Sequence, residues 1–191
     1  MELEEIIKKF RWKRLSKIYG CAHNSIIGFI TYEWLSIDER NSVFDGAPSP
    51  NTGSGRKGQK NADLILCTEQ HPLIVVEVET QVKKYSDKLK SILDYLKNKE
   101  KFAGLKHGLM VLTNLCTGER NYKHNWDDIK EEIKNSIEKP SIALISIEKI
   151  KAELKESAVD ELRKVNDYYP WTIVNIEYCI FCEQNIKKGV L

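Results

Sequence analysis

The sequence predicts an α/β fold with a central mixed β-sheet flanked by helices, and three observations carry this. From Ala62 onward, β-branched runs alternate with segments whose apolar residues recur at helical spacing, the pattern of strand–helix–strand crossovers. The run LIVVEVET, residues 73–80, is too apolar for a one-sided strand and reads as one covered on both faces. A chain of 191 residues with 41% hydrophobic content is long enough to bury one sizeable core. Its 30 Lys and Arg against 28 Asp and Glu leave a net charge of +2, which argues against an acidic disordered tail and a histone-like basic binder. Any nucleic-acid contact must then use a local basic patch. No apolar run reaches membrane-spanning length and the charged N-terminus MELEEIIKKF has no signal-peptide core, so a cytoplasmic protein is expected.

In order along the chain, residues 2–19 carry Leu3, Ile6, Ile7, Phe10 and Ile18 at helical spacing, predicting an amphipathic helix. Residues 25–35 are apolar almost all round, as in a core helix, with one acid, Glu33, on the stripe of Ile26, Phe29 and Ile30. Residues 41–61, rich in Gly, Ser, Pro and Asn, show no period and predict a long loop ending in Arg56, Lys57 and Lys60. A hairpin follows, ADLILC and LIVVEVET around a turn near Thr68 to Pro72. Val82, Tyr85, Leu89, Ile92, Leu93 and Leu96 then mark the clearest amphipathic helix. Beyond it we expect a strand at 108–115, a helix at 126–137, a strand at 141–147, a helix from Ile147 to about Lys164, and a C-terminal strand or hairpin.

Five scattered cysteines do not form a disulfide framework; Cys179 and Cys182 are a C-x-x-C pair without the second ligand pair of a zinc site. The chemistry-bearing constellation is acidic. Asp63 lies on the first hairpin strand, and Glu77 and Glu79, two apart, share one face of the second. Clustered carboxylates on an apolar sheet repel one another and are raised in pKa by burial unless a positive charge neutralises them. Mg²⁺ does this with oxygen ligands, and can activate water against a phosphodiester.

The order of a helix carrying Glu33, a strand with Asn61-Ala62-Asp63, a hairpin, Ile74-Val75-Val76-Glu77-Val78-Glu79 and an amphipathic helix resembles the PD-(D/E)XK, or restriction-endonuclease-like, nuclease superfamily. The resemblance spans about residues 22–147, with the N-terminal helix 2–19 and a C-terminal helix and strand appendage, 148–191, completing one domain. It implies a restriction-endonuclease-like core in which Asp63 and Glu77 bind Mg²⁺ or Mn²⁺ and Val78 adds its backbone carbonyl. Two positions depart from the family pattern: Asn61-Ala62 stands where Pro is usual before the Asp, and Glu79 stands where Lys is usual. Glu79 is then a further metal ligand or general base. The missing ammonium can come from a neighbouring element, and Lys84, on a stripe with Gln81, Tyr85 and Lys88, and Lys60 are the candidates.

The expected function is a metal-dependent endonuclease hydrolysing DNA phosphodiester bonds, of restriction or repair type. Asp63, Glu77 and Glu79 hold metal and water, Glu33 assists from its helix, and Lys84 or Lys60 orients the nucleophile. DNA contact falls to the basic end of the 41–61 loop and to Lys8, Lys9, Arg11, Lys13 and Arg14. A homodimer is compatible with this, and the oligomeric state stays open. The alternative is a non-catalytic nucleic-acid- or protein-binding module of the same fold with a degenerate site. Otherwise, Glu33 is an ion-pair partner of a nearby base, Lys83, Lys84, Lys88 and Lys90 are a solvated face, and the histidines carry no role.

Overall fold

The computed structural model describes residues 2–17, 22–46, 61–69, 71–80, 85–98, 100–115, 123–136, 141–151, 171–182 and 185–191. Among them seven strands form one continuous sheet in chain order: β1 (Asn41–Asp45), β2 (Leu64–Thr68), β3 (His71–Glu79), β4 (His107–Leu115), β5 (Ser141–Lys151), β6 (Trp171–Cys182) and β7 (Asn185–Val190). β1, β2 and β3 are antiparallel neighbours, β3, β4 and β5 run parallel, and β6 and β7 return antiparallel. The sheet is therefore mixed, as the alternation of periods predicts.

Helices cover both faces. α3 (Tyr85–Lys97) joins β3 to β4, and α4 (Lys123–Ser136) precedes β5. They pack on one face, where Leu89, Ile92, Leu96, Ile129 and Ile133 meet Ile65, Val75, Met110, Leu112 and Leu144. α1 (Leu3–Lys9), a 3₁₀ turn (Trp12–Lys17) and α2 (Ala22–Leu35) supply the core of the other face against Leu64, Leu66, Val76, Val78, Val111 and Ile145. The two sets of β3 side chains alternate, so the fully apolar run Leu73–Val76 feeds both layers. No helix among the described residues is long and apolar enough to cross a membrane.

Three expected elements differ. The helix at 2–19 is interrupted at Phe10, whose extended backbone (φ −70°, ψ 133°) closes α1. The cause is tertiary: Phe10, Trp12 and Phe29 form an aromatic cluster, Trp12 Nε1 donates to Ile7 O at 2.8 Å, and the Arg11 N–H is taken by Glu33 instead of the helix ladder. The loop at 41–61 begins with a strand, since β1 pairs with β2 from Asn41↔Thr68 to Asp45↔Leu64. Its polar, half-exposed residues suit an edge strand, which lacks the apolar run that identifies a central one. Residues 47–60 lie outside the described residues. The helix from Ile147 does not start there, because β5 continues to Lys151, paired across a bulge with β6 up to Trp171. The alternation in ISIEKIK, residues 145–151, is short enough to be mistaken for a helical turn, and the pairing partner decides.

The C-x-x-C pair lies on one regular stretch of β6, where residues three apart point to opposite faces. Cys179 is buried under the α3–α4 layer and Cys182 is half-buried, so the two thiols do not converge on one ion.

Gly108 shows how tightly α3 sits. A Cβ there would run into Ile92 Cγ2 and press on Ile142 Cγ1 at 3.3 Å. Gly108→Ala is expected to destabilise the protein by about 1–3 kcal/mol through overpacking, measured by urea unfolding. A change within about 0.5 kcal/mol would contradict this packing of α3 on β4.

Candidate active site

The sheet-facing stripe of α3 runs through Lys88, Ser91, Ile92 and Tyr95, at the spacing that stacks side chains on one face. Ile92 anchors it in the core. The three polar members each hold part of the hairpin. Lys88 Nζ donates to Asp63 Oδ2 at 3.0 Å and to Glu77 Oε2 at 2.7 Å. Ser91 Oγ donates to Glu77 Oε1 at 2.5 Å, and Tyr95 Oη accepts the Ala62 N–H at 3.0 Å, fixing the residue before Asp63.

The end of a ladder brings Asp63 into this group. β2 and β3 pair up to Leu64↔Val76, so the next N–H on that edge of β3, that of Val78, has no strand partner on β2. Asp63 Oδ2 accepts it at 2.7 Å. Two donors therefore share one Asp63 oxygen, while Oδ1 lies 3.5 Å from His23 Nε2, near the start of α2. Through their common ammonium, Asp63 Oδ2 and Glu77 Oε2 stand no more than about 6 Å apart, within the range where charges shift one another strongly.

Glu77 is 1% exposed, and burial pushes its carboxyl up to about 7 even though Lys88 and Ser91 pull the other way. Burial also opposes the Lys88 ammonium, but the charges and hydrogen bonds of Glu77 and Asp63 outweigh it, so Lys88 is held above its ordinary value and remains charged. Glu79 ends β3 half-buried, two residues beyond Glu77 on the same face. The structure thus gathers Asp63, Glu77 and the Val78 backbone, with Glu79 next along the strand.

Glu33 is not part of this group. Arg11 donates to it from its backbone N at 3.0 Å and from Nε at 2.8 Å, and Arg14 stands 3.9 Å away. Glu33 lies ten residues beyond His23 on α2, roughly 15 Å along the helix axis, towards the end where Trp34 Nε1 donates to Cys67 O. The stripe of Ile26, Phe29 and Ile30 that makes it look inward does bury it, against the N-terminal segment. Lys60 and Lys84 lie outside the described residues, as do Arg56 and Lys57. Lys8 is paired with Glu4 at 2.7 Å, and Arg11 and Arg14 face Glu33.

Lys88, Ser91, Tyr95 and His23 are the residues that sequence reasoning missed. Lys88 had a signal: it borders the apolar face of α3, and Ser91 and Tyr95 follow at +3 and +7. His23 had none, because its neighbour is set by where α2 begins relative to Asp63. Among the described residues no three His, Cys, Asp or Glu side chains form a cluster able to hold a metal ion. No protein-family model, no curated protein and no solved structure matches the chain.

Two stability measurements check these assignments. Arg11→Ala should lower the melting temperature at neutral pH by leaving Glu33 buried without its main partner. Burial raises the Glu33 carboxyl, but the Arg11 bonds and the Arg11 and Arg14 charges bring it below the ordinary value, so this stabilisation exists above the unfolded carboxylate pKa and fades as pH falls through the folded one. The penalty should shrink in acid, and a penalty that is constant with pH would contradict the pairing. Glu77 has the opposite sign. Its raised carboxyl favours folding fully below about pH 4.5 and loses that advantage as pH rises through about 7. The melting temperature of Glu77→Gln relative to the native protein should therefore rise between pH 5 and pH 8; a flat difference would place Glu77 in an ordinary solvated setting.

Proposed function

We propose that the chain is a divalent-metal-dependent deoxyribonuclease of the restriction-endonuclease-like class, with its site at Asp63, Glu77 and Lys88. The observation that carries this is one cation, the Lys88 ammonium, shared by a carboxylate just before β2 and one on β3. Further support comes from the order of α2, the β2–β3 hairpin and α3, with the edge strand β1 between α2 and the hairpin, the order on which the family resemblance rests. DNA as substrate rests on that resemblance.

The donor set suits Mg²⁺ or Mn²⁺: hard carboxylate oxygens, one of them already fixed by Ser91 so that Glu77 Oε2 is the oxygen facing Asp63. Asp63 and Glu77 would hold the ion, joined by the Val78 carbonyl that the resemblance implies. A divalent cation there supplies an acidified water and positive charge opposite the scissile phosphate. The protein's own groups do the rest. Val78 N–H and Tyr95 fix Asp63 in register with Glu77. Lys88 takes the role expected of Lys84 or Lys60, orienting the nucleophile or neutralising the phosphate from a helix instead of from the strand position that Glu79 fills. Glu79 serves as a further ligand or base, and His23 supports Asp63 from α2.

A second reading has its own observation: with Lys88 bonded to both acids and no three-ligand cluster among the described residues, the group also works as a structural ion triad in a binding module of the same fold. Cleavage assays on linear, supercoiled and branched DNA with Mg²⁺ or Mn²⁺ separate the two. The nuclease cuts at least one form; Asp63→Ala and Glu77→Ala abolish cutting, Glu79→Ala loses activity about as severely as Glu77→Ala, and Lys88→Ala loses about 100-fold or more. Native protein that cuts nothing, and binds neither ion in the presence of DNA, is the result that favours the binding module.

A further inference from the structure

We infer that Lys88 is a displaceable counter-cation, so that a divalent metal and a phosphodiester enter the site together and each strengthens the binding of the other. The inference rests on the nuclease assignment above and adds to it an order of events in which Lys88 is the moving part.

The geometry supplies the first half. The Lys88 ammonium stands between Asp63 Oδ2 and Glu77 Oε2, at 3.0 and 2.7 Å, so the oxygens that would ligate a metal are the ones already bonded to it. A divalent ion and an ammonium cannot share that gap, because two positive charges a few ångströms apart repel strongly where water is scarce. A metal ion arriving alone must expel Lys88. The expelled ammonium then exchanges two charge-assisted hydrogen bonds for water, and that loss is set against the metal. Metal binding to the free protein is weakened accordingly.

The second half concerns the phosphate. A phosphodiester arriving alone meets the carboxylates of Asp63 and Glu77, which repel it, and an ammonium already committed to them. With metal and phosphodiester both present, every group finds an opposite charge: the carboxylates hold the metal, and a phosphate oxygen accepts from Lys88. Such complementary use of one side chain is a coupling free energy, and it is reciprocal.

Lys88 is built to move in this way. It is the fourth residue of α3, the end of a helix where the backbone dipole disfavours a cation, so its own helix does not anchor it. It is 23% exposed, and its four-carbon stem can swing the ammonium towards solvent without shifting the backbone. Ser91 keeps Glu77 Oε1 and Val78 N–H keeps Asp63 in place when the ammonium leaves. By contrast Arg11 holds Glu33 through its backbone N–H as well as through Nε, so that pair has no such freedom.

The test is titration calorimetry with Ca²⁺ and Mn²⁺ on the native protein and on Lys88→Met, each with and without a short DNA duplex. Without DNA, Lys88→Met should bind metal about tenfold or more tighter than the native protein. DNA should tighten metal binding by the native protein about tenfold or more and by Lys88→Met far less. Equal or weaker metal binding by Lys88→Met, or the same effect of DNA on both proteins, overturns the inference while leaving a metal-binding site in place. Absence of metal binding by either protein under both conditions overturns the nuclease assignment and the inference with it. Should Lys88→Met not fold, Lys88→Gln, which retains a hydrogen bond to one carboxylate, gives the same comparison.

Discussion

A carboxylate that is to stay ionised when buried in the face of a β-sheet needs a positive charge within hydrogen-bonding reach, and at Glu77 that charge is Lys88. The requirement ties together elements distant in sequence. β3 must place Glu77 towards α3, α3 must present Lys88 and Ser91 on the stripe that Ile92 anchors, and β2 must begin only at Leu64 so that Asp63 can take the Val78 N–H. Close packing enforces the alignment: Gly108 leaves no room for a side chain beneath Ile92, which sets α3 at one height above the parallel strands.

The protein contains a second buried acid, and the contrast between the two explains why one reads as a site and the other as a fastening. Glu33 is 2% exposed and engaged by Arg11 from the backbone and from Nε, while Arg14 stands close by. A planar guanidinium bonded to both oxygens of a carboxylate is a specific and rigid partner. Its effect is to bind the N-terminal segment to α2 and end α1 at Phe10. Glu77 instead meets a compact ammonium on a flexible stem, shared with a second acid. A cation divided between two acids is replaceable.

Much of the fold was legible because it depends on local pattern. The β-branched run at 73–80 and the stripe of Leu89, Ile92 and Leu96 specify a two-faced strand followed by a helix, and the alternation that continues from there gives the parallel part of the sheet. What failed depends on partners that a single sequence does not display. β1 is a strand because β2 lies beside it, β5 runs on to Lys151 because β6 accepts it, and the first helix stops because Glu33 claims the Arg11 N–H. The acidic half of the site was legible for the same reason as the strands: alternation puts Glu77 and Glu79 on one face. The basic half was legible only as a stripe bordering the apolar face of α3, and which lysine of that stripe meets the acids is decided when α3 is laid on β3.

The claim on which the account depends is that one cation position exists between Asp63 and Glu77 and that Lys88 fills it in the free protein. Anomalous diffraction from crystals grown with Mn²⁺ and a short DNA duplex tests it most directly. The account predicts a manganese peak flanked by the Asp63 and Glu77 carboxylates, with the Lys88 ammonium withdrawn from both and directed at a phosphate. A site without manganese, with Lys88 still bonded to Asp63 and Glu77 in the presence of DNA, would contradict it.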